Sequence, residues 1–246
     1  MNSSEHVICV VAHPDDEVLW FASILKEVDK VIFVFNDCVD APGIGNKRTH
    51  AVGQLPYDNV TLAIPEAGTY DPMHWRHPKL SEFGLYLDRD AASRETLRLY
   101  ERNYHSIKTQ LESLIPEKSI VYTHNPWGEY GHADHVQVYR ALSDIRDSLQ
   151  LTLRVSPYIS EQAEPLAQLY TESSSLPPER KPVDSDFTNQ VVDIYQRSGC
   201  WTWADDWKWD EEMYLLPEPQ LAKETNSLTN MVNSTYIKKI PSSVTK

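Results

Sequence analysis

Apolar runs alternate with polar loops along the chain. The first run, Val7 to Ala12, is too short for a helix and rich in β-branched residues, which predicts a strand covered on both faces. Similar runs predict strands at 31–35, 59–64, 119–123 and 151–155. Because helical patterns separate these strands, we predict an α/β fold with a Rossmann-like, open, mainly parallel sheet and helices on both faces.

Apolar residues that recur every three or four positions predict the helices between the strands. The predicted helices cover 18–28, 46–55, 90–115, 132–149 and 186–197. The third of these has the strongest pattern, and Pro116 ends it. Prolines and glycines break up residues 65–88, and a loop of this length in a compact domain is usually functional or mobile.

Polar side chains are concentrated where the first strand ends. His13 offers an imidazole nitrogen and Asp16 a carboxylate oxygen, a pair of donors that suits Zn²⁺ or a similar divalent ion. Asp15 points elsewhere in the same turn and is a candidate general base. The alternative is a strand-to-helix turn in which the acids cap the helix.

A second polar loop follows the 119–123 strand. His132 and His135 share one face if a helix begins near His132. Because parallel strands end at a common sheet edge, we expect this loop to meet the loop that carries His13. His124 fits two interpretations, a partner that orients a metal ligand or a loop histidine bonded to the backbone.

The sequence Ala12–Glu17, AHPDDE, and the sequence His132–His135, HADH, resemble the two motifs of the LmbE/PIG-L family of zinc-dependent sugar de-N-acetylases. The resemblance in chain layout covers roughly residues 5–200. It implies that Zn²⁺, or Fe²⁺ or another divalent ion in its place, is bound by His13, Asp16 and His135.

The resemblance also implies catalytic roles. Asp15 matches the general base, and His132 matches the charged or proton-donating partner. Asp134 matches the acid that tunes this histidine, and Tyr130 matches a mobile tyrosine near the substrate carbonyl.

Candidate substrate contacts lie outside these motifs, at Asn36, Arg48, Trp75 and Arg76. Asn36 follows the second strand, where a turn role is the alternative. Trp75 and Arg76 combine an aromatic ring with a cation, which suits a sugar face and an anionic group. In many family members the arginine matched by Arg48 is followed three residues later by a glutamate, but Ala51 stands here.

Four of the chain's seven tryptophans lie between Trp201 and Trp209. They can form a sugar platform or a flap packed on the core or on a second subunit, and we favour packing. We expect one LmbE-like domain over residues 1–217, with this Trp-rich flap at 198–217. A polar C-terminal tail is expected at 218–246.

Composition limits the classes of partner. A chain of 246 residues can bury one substantial core. The net charge of −13 and the pI of about 5.1 argue against nucleic acid as a partner. Neither a membrane span nor a secretory signal is recognisable, and three cysteines without metal-type spacing fit a reducing compartment, so we expect a cytoplasmic protein. The sequence leaves open whether the protein forms a homo-oligomer.

The expected function is removal of an N-acetyl group from an N-acetylglucosamine-like sugar or its conjugate, giving acetate and a free amine. The partner is then a small-molecule N-acetylated sugar. Two alternatives stay open: a non-catalytic protein that binds a metal or an N-acetyl sugar, and an amidase acting on a thiol-conjugate amide.

Overall fold

The computed structural model describes residues 5–39, 41–172, 177–204, 207, 209–217, 232–233 and 238–240. Residues 205, 206 and 208 of the expected Trp-rich flap lie outside the described residues. So does most of the expected polar tail.

The strands are short, as buried apolar runs predict. In chain order they are β1 (Val7–Val11), β2 (Lys30–Phe35), β3 (Asn59–Ile64), β4 (Leu80–Ser81), β5 (Gly84–Leu85), β6 (Ile120–Thr123), β7 (Thr152–Val155), β8 (Tyr158–Ile159), β9 (Thr171–Glu172), β10 (Glu179–Pro182), β11 (Glu211–Tyr214), β12 (Val232–Asn233) and β13 (Lys238–Lys239). Five of them form a parallel sheet in the order β3-β2-β1-β6-β7, which confirms the predicted open sheet.

The order in which the chain adds strands to the sheet reverses at β1. The chain first adds β2 and β3 on one side of β1 and then returns to pair β6 with the other side, from Val7 opposite Ile120 to Val10 opposite Thr123. The loops that leave β1 and β6 therefore diverge from adjacent strands. Open α/β sheets bind ligands in the crevice at such a switch point.

The helices are α1 (Asp16–Trp20), α2 (Ile44–Val52), α3 (Arg94–Leu114), α4 (Ala133–Leu149), α5 (Glu164–Ala167) and α6 (Ser185–Ser198). The predicted helix over 18–28 is wrong in extent, because α1 ends at Trp20 and a 3₁₀ turn over Ala22–Ile24 follows. The carboxylate of Glu212 accepts hydrogen bonds from the backbone N–H groups of Ala22 at 3.1 Å and Ser23 at 2.9 Å. These amides therefore bond to a distant side chain and leave the helical ladder.

The sheet separates two apolar cores. Ile8 and Val10 of β1 pack in the core that contains Ile107 of α3 and Leu142 of α4. Cys9 and Val11 of the same strand point to the opposite face and pack in the other core, with α1, α6 and the tryptophans of the flap. Burial on both faces explains why the strands read as continuous apolar runs.

The 65–88 segment carries more regular structure than predicted. It contains a 3₁₀ turn at Pro72–Trp75 and the hairpin β4–β5. Strand β10 pairs antiparallel with β11. Among the described residues, no helix combines the length and the apolar character that crossing a bilayer requires.

Candidate active site

The loop after β1 presents His13 and Asp16 to each other. Their exposed fractions are 4% and 2%. Asp16 Oδ2 accepts a hydrogen bond from the His13 backbone N–H at 2.8 Å and lies 3.3 Å from His13 Nδ1. Trp20 Nε1–H donates to the other oxygen, Asp16 Oδ1, at 3.2 Å. The carboxylate is therefore fixed, with Oδ2 directed at the imidazole.

Helix α4 brings His135 to the same carboxylate oxygen. His135 Nε2 lies 3.3 Å from Asp16 Oδ2, and its other nitrogen, Nδ1, bonds to Glu129 Oε2 at 2.9 Å. Burial alone raises the pKa of Glu129, but His124 and His135 outweigh this effect and lower it to about 2. An ionised Glu129 keeps a proton on His135 Nδ1, so Nε2 can act as a metal ligand.

His13, Asp16 and His135 fit a divalent ion. Each offers one ligand atom, and these atoms lie within 4.8 Å of one another. A tetrahedral ion with bonds of about 2.1 Å separates its ligands by about 3.4 Å, and the two distances to Asp16 Oδ2 are both 3.3 Å. His135 Nε2 is buried and has no hydrogen-bond partner among the described residues, so an ion would satisfy it. The structure thus brings together the three predicted ligands.

Neighbouring carboxylates determine the direction of the pKa shifts of His13 and His135. Burial alone lowers the pKa of His13, but the Asp134, Asp16 and Glu66 carboxylates hold it well above its ordinary value. Asp16 and Glu129 similarly raise the pKa of His135 to about 9 against the effect of burial. Metal binding would release these protons, since ligating imidazoles are neutral.

His124 has contacts that fit both of its alternative interpretations. Its Nε2 accepts the backbone N–H of Ala12 at 2.9 Å, so it is a backbone-bonded loop histidine. Its ring also stacks on His135 with 3.7 Å between the ring centroids, and its Nδ1 lies 3.3 Å from Glu129 Oε2. The side chain therefore supports a candidate ligand while tying β6 to β1.

Asp15 lies at the entrance to α1 in a strained conformation. Its φ of +107° is in the left-handed region, which few residues other than glycine adopt. Its backbone N–H donates to Glu17 Oε2 at 3.0 Å, and its carboxylate Oδ2 accepts from the Thr202 hydroxyl at 3.0 Å. Burial raises the pKa of Asp15 to about 7, although Arg48 opposes the shift. This pKa suits a general base near neutral pH.

His132 caps α4 and faces the candidate metal ligands. Its Nδ1 accepts the backbone N–H of Asp134 at 3.2 Å, which places the proton of a neutral ring on Nε2. Burial lowers the pKa of His132 well below its ordinary value, and the charges of His13 and His135 add to this. Of the two forms that the resemblance allows, charged or proton-donating, this arrangement favours a neutral ring that donates from Nε2.

Asp134 and Tyr130 flank this histidine differently. Asp134 meets His132 through its backbone, whereas its carboxylate lies 3.5 Å from His13 Nε2 and accepts from the Thr69 hydroxyl at 3.2 Å. The Tyr130 ring contacts the rings of His132 and His135, with centroid distances of 5.7 and 5.3 Å.

A cavity of about 250 Å³ opens beside these residues. Its walls come from the loops after β1, β2, β3, β6 and α6 and from the helices α1, α2 and α4. The lining residues are His13, Asp15, Asp16, Cys38, Ala41, Ile44, Arg48, Glu66, Gly68, Thr69, Tyr70, Tyr130, His132, Asp134, Thr202 and Trp203. All the predicted catalytic residues and two of the three predicted metal ligands line it. The third ligand, His135, lies behind them.

Of the four predicted substrate contacts, Arg48 lines the cavity. Its Nε and Nη1 are buried without a hydrogen-bond partner among the described residues. The Asn36 amide instead donates to Gly45 O at 3.0 Å and Thr49 Oγ1 at 2.8 Å, holding α2 in place. Trp75 packs in the core, and Arg76, which follows the 3₁₀ turn, is exposed; neither residue lines the cavity.

The flap combines packing with access to the site. The ring of Trp207 packs on Trp20 at 5.3 Å and on Trp209 at 5.0 Å, between ring centroids. Trp203 lines the cavity, 5.3 Å from Tyr130. Trp207 and Trp209 therefore have a packing role, whereas Trp203 forms part of the cavity wall.

Four residues were missed as site residues from the sequence: Glu17, Glu66, Glu129 and Thr202. Glu17 and Glu129 lie inside the two polar stretches, so their position was a usable signal. Glu66, whose Oε1 is 3.1 Å from His13 Nε2, and Thr202 lie in stretches without a motif. Their roles depend on long-range contacts.

The fold and the site together define an α/β protein with a candidate divalent-metal centre at the switch point of its sheet. Residues 8–145 match the PIG-L family, described as GlcNAc-PI de-N-acetylase, and the chain belongs to this family. The resemblance inferred from the two motifs is confirmed.

The individual relatives have low sequence identity to this chain. An uncharacterized protein of Acanthamoeba polyphaga mimivirus, L374, is 30% identical over 149 residues, and the match covers 56% of either chain. The chain thus spans about half the length of this relative. Two solved structures, a deacetylase–teicoplanin complex from teicoplanin biosynthesis and the zinc-inhibited form of the teicoplanin deacetylase Orf2, each show a TM-score of 0.49 and 15% identity. These superpositions cover 79% of this chain and 87% and 84% of the two structures.

Proposed function

We propose that the protein is a zinc-dependent hydrolase that removes the N-acetyl group from an N-acetylglucosamine-like sugar or its conjugate. The products are acetate and a free amine. The observation that carries the proposal is the meeting of His13, Asp16 and His135 around one point, with the buried carboxylate of Asp15 lining the adjoining cavity.

His13 Nδ1, Asp16 Oδ2 and His135 Nε2 would hold the ion. Three protein ligands of nitrogen and oxygen type are the set that catalytic zinc sites use, and Fe²⁺ suits the same donors. When bound, such an ion polarises a carbonyl oxygen and lowers the pKa of water.

Asp15 takes the proton of the attacking water as the new C–O bond forms at the acetamide carbon. Its pKa of about 7 leaves a large ionised fraction at neutral pH, and Arg48 favours that form. His132 Nε2–H donates a hydrogen bond to the carbonyl oxygen as negative charge develops there. When the C–N bond breaks, the amine takes a proton from Asp15 or from His132.

The size of the cavity limits what enters it. A volume of about 250 Å³ lies below the roughly 300–1,000 Å³ of typical ligand pockets. A single acetylated ring fits this space, and a larger carrier extends outward past the exposed ring of Tyr70. Arg48 lines this cavity, and its guanidinium cation suits oxygen atoms of the ring or its substituents.

Acetate release tests this function. Metal-stripped protein is reloaded with zinc and incubated with N-acetylglucosamine, free or linked to a nucleotide, an inositol or a thiol conjugate. We expect acetate and amine in equal amounts from at least one substrate. Asp15→Asn should keep its zinc and lose activity by orders of magnitude, and His135→Ala should lose the zinc.

Asp147→Asn is the matched control, since Asp147 is exposed at the far end of α4. It should retain full activity. Full activity in Asp15→Asn, or no acetate from any substrate with the zinc-loaded wild type, would overturn the proposal.

A further inference from the structure

The segment that follows α6 reaches the active site from outside the family match. The family match ends at residue 145, whereas α6 ends at Ser198. Gly199 then turns the chain with φ of +68°, and Thr202 and Trp203 line the cavity. A part of the chain that the family match does not cover therefore contributes to the walls of the site.

Thr202 contacts the reacting carboxylate directly. Its hydroxyl donates to Asp15 Oδ2 at 3.0 Å. The second contact of Asp15, from its backbone N–H to Glu17 Oε2 at 3.0 Å, fixes the main chain and not the carboxyl group. Among the described residues, the Thr202 hydroxyl is the side-chain hydrogen-bond donor to this carboxylate.

The position of this hydroxyl is itself determined by packing. The next residue, Trp203, lies between two rings, 5.3 Å from Trp20 in α1 and 5.3 Å from Tyr130 after β6. Threonine also has few χ1 rotamers, because its Cβ is branched. The donor is held against the loop that carries Asp15 rather than sampling the open cavity.

We propose that Thr202 is a positioning residue for Asp15. Its hydrogen bond occupies Oδ2 and leaves Oδ1 to accept the proton of the attacking water. The inference rests on the proposed function, in which Asp15 is the general base. It adds the C-terminal segment to the machinery of the reaction.

Two substitutions at this position separate positioning from general support. Thr202→Val keeps the shape and removes the hydroxyl, while Thr202→Ser keeps the hydroxyl. Thr202 is exposed, so neither change opens a cavity in the core. Thr109→Val, at an exposed position on α3, is the matched control.

The readouts are kcat, KM, zinc content and a crystal structure of the valine variant. Loss of a hydrogen bond to a carboxylate predicts a kcat lowered about 10- to 100-fold in Thr202→Val. KM and zinc content should stay at the wild-type level, and Thr202→Ser should recover most of kcat. The crystal structure should show the Asp15 carboxylate rotated away from its wild-type position.

The outcomes that overturn the inference differ from those that overturn the function. An active wild type with an unchanged kcat in Thr202→Val contradicts the role of Thr202 alone. Equal losses in the serine and valine variants, or loss of zinc in the valine variant, indicate structural support and also overturn it. A zinc-loaded wild type without deacetylase activity overturns the proposed function itself.

Discussion

Replacement of Glu129 by glutamine should weaken metal binding although Glu129 is not a metal ligand. This carboxylate is fully buried and serves two sides of the site. Its Oε1 accepts the backbone N–H of Asn125 at 2.9 Å and the hydroxyl of Ser156. Its Oε2 bonds to His135 Nδ1 at 2.9 Å and lies 3.3 Å from His124 Nδ1.

Glutamine cannot satisfy both sides, because an amide has one oxygen and one NH₂ group. With the NH₂ toward His135, a donor faces Nδ1, which favours the tautomer that carries its proton on Nε2. That proton blocks the ligand atom directed at Asp16. With the NH₂ toward Asn125, two donors face each other instead. Loss of such a partner typically costs 10- to 100-fold in metal affinity, or about 1.4–2.7 kcal/mol.

The assay is a competition titration of zinc against a chromophoric chelator, with apo protein at fixed pH. Glu101→Gln, on the exposed face of α3, controls for the loss of one negative charge. We expect the dissociation constant for zinc to rise about 10- to 100-fold in Glu129→Gln and to stay unchanged in Glu101→Gln. An unchanged constant in Glu129→Gln would show that this carboxylate does not control His135.

Three further predictions concern stability. Burial raises the pKa of Glu212 above its ordinary value of 4.5, so its folded form gives up its proton less readily and stability falls as pH rises through that range. In urea titrations the unfolding free energy of the wild type should therefore fall relative to Glu212→Gln as the pH rises above 4.5; parallel curves would contradict this. Ile107→Ala empties a fully buried position and should cost about 2–5 kcal/mol of unfolding free energy in urea, whereas a cost near zero would contradict the assigned core. Zinc at roughly 100 times its dissociation constant should stabilise the fold by about 2.7 kcal/mol, seen as a higher melting temperature. His135→Ala should show no such shift, and an equal shift would place the ion elsewhere.

The sheet was predictable because its signal is local. Strands buried on both faces need apolar residues at every position, and β2 at Lys30–Phe35, buried throughout residues 31–35, matches the run predicted at 31–35. The candidate ligands were predictable for a related reason. His13 lies just after β1 and His135 lies in the first turn of the helix that follows β6, and parallel strands deliver their loops to one edge.

What the sequence did not predict depends on contacts between distant parts of the chain. Helix α1 ends early because Glu212, far along the chain, takes the amides of Ala22 and Ser23. Thr202 reaches Asp15 only because α6 ends beside the site and the tryptophans pack there. No local sequence pattern predicts such contacts.

The central claim is that the loops after β1 and β6 hold one divalent ion between them. Anomalous diffraction at the zinc absorption edge, from crystals grown with zinc, tests it most directly. We predict a single strong peak within bonding distance of His13 Nδ1, Asp16 Oδ2 and His135 Nε2. A structure with no peak among these three atoms, or with the imidazoles of His13 and His135 turned away from each other, would contradict the account.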